Sequence, residues 1–158
     1  MACNLLDTDI LSPKERAILT KAARILESKI RTAPVTLNSP NLVRQWLRLK
    51  FSCLDREMFG VVYLDVQNRL IDFEVLSAGT LTQTSVYPRE VVKAVLKRNA
   101  AAVLFVHNHP SGCAEPSRAD EVLTQALKQS LVLIDVKVLD HFIVAGAAVM
   151  SFAERGLL

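Results

Sequence analysis

The stretch Ala101 to Val106 is uninterrupted apolar sequence, and it runs directly into His107-Asn108-His109 and then a Pro-Ser-Gly turn. A short apolar run bounded by turn residues describes a strand buried in the middle of a sheet, so both faces of that sheet must be covered. The polar residues then fall at the strand's end, where a rigid element meets a loop. In an extended segment, side chains two apart project to the same side. His107 and His109 therefore present their imidazoles together, and Asn108 points away. Asp120 follows after ten intervening residues, with Ser117 three positions before it. Two imidazoles and a carboxylate make three ligands for Zn²⁺, an ion that prefers four. One position is then left for water or substrate, the arrangement of a catalytic site.

Ser117 and Asp120 also fit a plainer role. A Ser at the helix N-cap with an acidic residue three positions on satisfies otherwise unpaired N–H groups, and Val122, Leu123, Ala126, Leu127 and Leu131 form an apolar stripe downstream. That role leaves the two histidines at spacing two unexplained, and the zinc reading is preferred for that reason.

The pattern His-x-His, seven residues, Ser, two residues, Asp, from His107 to Asp120, resembles the JAMM metalloprotease motif of the JAB/MPN domains. More narrowly, HNHPSG at 107–112, PSRAD at 116–120, YPREVVKA at 87–94 and LDHFIV at 139–144 resemble the bacterial RadC family, over about residues 35–158. The resemblance implies a three-layer α/β/α zinc hydrolase domain with a mixed sheet, of the cytidine deaminase-like type, whose relatives cleave peptide or isopeptide bonds. It implies that His107, His109 and Asp120 hold the Zn²⁺ and that Ser117 donates a hydrogen bond to the oxyanion. It also requires an upstream glutamate, acting as general base, ahead of a strand in a Glu-x-x-Gly context. Glu57-Met58-Phe59-Gly60 fits, and Gly60 suits a close approach by backbone or ligand. Glu74 is the rival. It alternates with Ile71, Phe73 and Val75 and shares a polar strand face with Asp72, so Glu57 is preferred.

The remaining sequence sets the frame. Strands are expected at 58–65, 69–76, 101–107 and 134–144, with a last strand or turn near 149–152, and helices at 88–98 and 117–131. Upstream, Ser12-Pro13-Lys14-Glu15 is a capping box with Pro at the first helical position, and Ile18, Leu19, Ala22, Ile25, Leu26 and Ile30 follow at helical spacing. A linker over 32–41 with Pro34 and Pro40 leads to a second helix, Pro40 to Phe51. The expected division is an N-terminal helical extension over 1–35 and a metal-hydrolase domain over 36–158. The extension offers one long helix, where long RadC members carry a helix-hairpin-helix region for DNA.

Charge is uneven. Residues 1–56 hold ten Lys or Arg against five Asp or Glu, and residues 57–158 hold nine against eleven. That modest basic excess reads as a solvated helix face, with at most weak, non-specific binding of nucleic acid. The expected partner is a peptide or protein substrate, not a membrane. Cys3, Cys53 and Cys113 form no Cys-x-x-Cys pair and read as reduced thiols, and no signal or membrane-spanning stretch is evident, so a cytoplasmic location is expected. Cys113 lies in the loop between the histidines and Asp120 and reads as a tolerated loop residue, or as a thiol near the metal. His141 reads as a histidine in the core or supporting the ligands, since a fourth protein ligand would close the site.

Three other classes compete with the zinc hydrolase. A zinc nucleobase deaminase needs His-x-Glu and Pro-Cys-x-x-Cys, which are absent. In a metal nuclease the histidines flank a phosphate, whereas here they sit together on one extended segment. The serious alternative is a non-catalytic interaction module linked to DNA repair or mobile-element function, whose partner surface would be sought in the loop from Ala78 to Tyr87.

Overall fold

Every residue of β3 (Ala102–Asn108) is buried, including the two polar ones at its end. Such a strand needs neighbours on both edges and cover on both faces. It pairs antiparallel with β1 (Met58–Leu64) and parallel with β4 (Lys137–Ala145). The outer strands β2 (Leu70–Ala78) and β5 (Ala148–Ser151) complete a mixed five-stranded sheet in the order β2-β1-β3-β4-β5. The computed structural model describes residues 11–32, 40–79 and 86–158. Its helices are α1 (Pro13–Thr32), α2 (Pro40–Phe51), α3 (Pro88–Arg98) and α4 (Arg118–Val132), and α4 is the crossover that the parallel β3–β4 pairing requires.

Strand alternation divides the core in two. Val62, Leu64, Leu104, Val106, Phe142 and Val144 face Val43, Trp46, Leu47 and Phe51 of α2. Phe59, Val61, Tyr63, Val103 and Phe105 face Val91 and Val95 of α3 and Leu127 and Leu131 of α4. The result is the expected three-layer α/β/α arrangement. His107 continues the 103-105 series, so its side chain belongs to the layer covered by α3 and α4.

The helix starts at Ser12 and Ser117 are capping boxes, as read from their spacing. Two apolar stripes are narrower than expected. In α1, Ala23 is buried and Leu26 packs on the α2 side of the core, but Ile18 and Ile25 are exposed. In α4 the buried face is Asp120, Thr124, Leu127 and Leu131, and Val122 is exposed. The strand expected from residue 134 begins at Lys137. The intervening apolar residues close the helix instead: Asp135 takes a left-handed φ of 57°, and the Val136 N–H donates to the Leu131 carbonyl. No helix among the described residues is long and apolar enough to cross a membrane.

Gly60 is the point where β1 lets two rings close in. A Cβ there would stand 2.9 Å from Cε2 of Phe73 and 3.0 Å from Cζ of Phe51. What approaches Gly60 is thus aromatic side chain, and the two rings meet edge to face at 5.9 Å. Gly60→Ala should cost about 1–3 kcal/mol by overpacking, read as a lower denaturant midpoint with an unchanged slope. An unchanged midpoint would show that the rings yield freely.

Candidate metal centre

β3 delivers His107 at its carboxyl end, and the chain then turns sharply. The His109 N–H donates to the Val144 carbonyl, and the Gly112 N–H donates back to the His109 carbonyl. Gly112 takes a φ of 78°, a left-handed value that suits glycine at this turn. The turn also sets the His109 ring, whose Nδ1 lies 2.8 Å from the carbonyl oxygen of Cys113. A carbonyl only accepts, so Nδ1 carries a proton and the lone pair of neutral His109 is on Nε2. At Cys113 it is therefore the backbone carbonyl that supports the site, while its thiol is free and exposed, as Cys53 is free.

Asp120 arrives from the other side, at the third position of α4. Ser117 is the N-cap, and its backbone N–H and its hydroxyl each donate to Oδ2 of Asp120 at 2.7 Å. The positive end of the helix dipole favours a carboxylate there. The capping role and the ligand role are compatible, because capping engages Oδ2 and orients the carboxylate toward the histidines.

The three residues converge. Nε2 of His107 and Nε2 of His109 are 2.9 Å apart. The Asp120 carboxylate lies 3.3 Å from the first and 3.5 Å from the second. All three donor atoms lie within 4.8 Å of one another. A tetrahedral zinc with bonds of about 2.0–2.1 Å holds its ligand atoms roughly 3.3 Å apart, so this donor set fits the ion to within a few tenths of an ångström. Two ring nitrogens and a carboxylate packed this closely call for a positive charge between them.

The electrostatics agree. Burial works against the Asp120 carboxylate, but its contacts with His107 and His109 outweigh that and hold its carboxyl far below the usual range. The contact with Asp120 raises the pKa of His109 against partial burial, helped by the Cys113 carbonyl and by the charges of Asp120 and Glu57.

Glu57 lies just before β1, half-buried, and is not one of the three clustered donors. Phe59 pairs with His107 across the strands, which brings the chain at Glu57 alongside the end of β3. Asn108 fixes that neighbour. Its Oδ1 accepts from the Met58 N–H and its Nδ2 donates to the Arg56 carbonyl, both at 2.9 Å, so it grips the backbone on either side of Glu57. The Glu57 carbonyl in turn accepts from the Gly79 N–H at 2.7 Å. Spacing alone had Asn108 merely turned away from the histidines; its partners lie some fifty residues upstream.

Glu74 is engaged elsewhere. It pairs with Arg98 at 2.8 Å and accepts from the Tyr63 hydroxyl at 3.4 Å, while Arg98 also bonds Asp72 and lies over the Tyr63 ring. Asp72 and Glu74 thus share one partly exposed polar face, as alternation predicts, and both are ion-paired to Arg98 of α3. His141 of β4 is wholly buried, with Nε2 2.8 Å from Nδ1 of His107 and Nδ1 2.6 Å from the Thr124 hydroxyl. Burial pushes its pKa well down. Thr124 was not singled out from the sequence, although its position four residues after Asp120 and seven before Leu131 marks it as a polar residue on a buried helix face. Of the loop from Ala78 to Tyr87, residues 80–85 lie outside the described residues.

A family model described as the RadC-like JAB domain matches residues 37–157. Over 152 residues the chain is 58% identical to a UPF0758 protein of Leptothrix cholodnii and 56% identical to one of Methylibium petroleiphilum, covering 94% of this chain and 68% of each relative. A UPF0758 protein of Nitrosospira multiformis is 57% identical over 143 residues, which are 90% of this chain and 63% of that protein.

Proposed function

The chain belongs to the RadC family through a JAB-type domain filling residues 37–157, and from that premise we propose that it is a zinc-dependent hydrolase cleaving an amide bond in a peptide or protein. The observation that supports this reading is the convergence of His107, His109 and Asp120 at the end of a buried strand. Zinc held by these three residues would supply Lewis acidity to the scissile carbonyl and make water available as hydroxide near neutral pH.

The chain's own groups do the rest. Glu57, whose charge is felt at His109, takes a proton from the attacking water and returns it to the leaving amine. The Ser117 hydroxyl, hydrogen-bonded to Asp120, turns to donate to the oxyanion that develops at the carbonyl. Loss of Ser117 should cost less than loss of a ligand, because the oxyanion has a second source of stabilisation. Any contact with nucleic acid is weak, non-specific and salt-sensitive, since the basic excess lies in surface helices.

The test is metal analysis of the purified protein, followed by a screen against a peptide library with and without a chelator. About one zinc per chain and chelator-sensitive cleavage of an amide bond are expected. Zinc without cleavage of any amide substrate would favour a metal-stabilised interaction module, and absence of bound metal would remove the hydrolase reading.

A further inference from the structure

Behind His107 runs a chain of hydrogen bonds that ends on the backbone of α4. The Thr124 hydroxyl lies 2.6 Å from the Asp120 carbonyl and 2.6 Å from Nδ1 of His141. Nε2 of His141 lies 2.8 Å from Nδ1 of His107. With both rings in their neutral forms, only one assignment of protons satisfies all three contacts. The carbonyl cannot donate, so Thr124 gives it the hydroxyl proton. Thr124 must then accept from Nδ1–H of His141, which leaves the His141 lone pair on Nε2. That lone pair accepts Nδ1–H of His107, and the His107 lone pair is left on Nε2, the atom facing His109 and Asp120.

The packing around His141 shows that hydrogen bonding, not volume, explains a histidine there. Its ring stacks on Phe152 at 4.7 Å and meets Phe59 and Phe105 edge-on at 5.7 and 5.8 Å. A phenylalanine would suit such walls better, because an imidazole taken out of water needs partners for both nitrogens. Thr124 and His107 are those partners. The same α4 backbone that supplies Asp120 as a donor also anchors the far end of the chain, through the Asp120 carbonyl.

We propose that Thr124 and His141 are positioning residues that lock His107 in its Nδ1–H tautomer, so that Nε2 is presented as a ready metal ligand before any metal arrives. This deepens the zinc reading above and rests on it for its purpose, though not for its geometry. Neither residue touches substrate. Their effect is on the orientation and protonation pattern of the ligand, the way outer partners of metal-binding histidines act in general.

The experiment uses the full chain with ¹⁵N-labelled histidine, metal-free and at mildly alkaline pH, where long-range proton–nitrogen spectra distinguish the two neutral tautomers. Zn²⁺ affinity is measured in parallel by competition with a chromogenic chelator. The wild type should show His107 protonated at Nδ1. Thr124→Val, close in shape, should give a mixed tautomer and bind Zn²⁺ about 10- to 100-fold more weakly, and Thr124→Ser should restore both readouts. His141→Phe should weaken Zn²⁺ to a similar degree while keeping the fold, and the Thr124→Val/His141→Phe double variant should be no worse than His141→Phe alone, because the residues act through one another. His107 protonated mainly at Nε2 in the wild type, wild-type affinity in Thr124→Val, or losses that multiply in the double variant would each overturn the proposal. Should the wild type take up no zinc, the hydrolase reading falls, and the tautomer spectra alone still decide this one.

Discussion

Glu57→Gln is expected to leave zinc uptake unchanged and to lower amide hydrolysis about 10²- to 10⁴-fold, the usual worth of a positioned general base. The side chain is not among the clustered donors, so the ligand set is untouched by the change. Glutamine is nearly isosteric, and the backbone around it is held independently by Asn108 at Arg56 and Met58 and by Gly79 at the Glu57 carbonyl. What is lost is the ability to take a proton. Glu74→Gln is the control: that carboxylate is bound to Arg98 and Tyr63 and should be dispensable for turnover. Steady-state rates of the two variants, with zinc content measured on the same samples, settle the assignment. If Glu57→Gln turns over normally and Glu74→Gln does not, the role of base moves to Glu74.

Asp120→Asn should weaken Zn²⁺ by more than the roughly 100-fold that marks the upper range for losing an outer partner, since here a ligand loses its charge. It should do so with little effect on folding. The Asn oxygen can still accept from the Ser117 N–H, so the N-terminal cap of α4 survives. Asp120→Ala removes the cap as well and should add a stability loss on the order of 1 kcal/mol. The pair separates the two functions of one side chain: chelator competition reports the ligand, and denaturant unfolding of metal-free protein reports the cap. Equal zinc affinity in wild type and Asp120→Asn would remove Asp120 from the metal site.

The legible part of this protein is the part governed by local geometry. A continuous apolar run cannot be an edge or a surface strand, so β3 and the covered sheet followed from residues 101–106. Period-two alternation put His107 and His109 on one side, and helix-start chemistry put Ser117 and Asp120 at a cap. Both rules act over a few residues, and both were readable without the fold. Helical periodicity was read less well at α4, where Val122 joined the expected stripe although the buried line is Asp120, Thr124, Leu127 and Leu131. Several apolar residues at near-helical spacing allow more than one face, and only packing against the sheet selects among them.

Partners distant in sequence belong to the tertiary structure alone. Asn108 gripping Arg56 and Met58 depends on the β1–β3 register, His141 reaching His107 depends on the parallel β3–β4 register, and Thr124 joins them because α4 lies across those strands. Glu74 keeps the polar face that alternation predicts for it with Asp72, but its partner Arg98 is supplied only by the placement of α3 beside β2. The sequence by itself determined which residues offer lone pairs and charges, because that is a property of side chains and their immediate spacing. Which lone pair faces the metal, and what holds it there, was decided by strand register and helix placement, because a hydrogen bond is fixed by distances of a few tenths of an ångström that no local rule specifies.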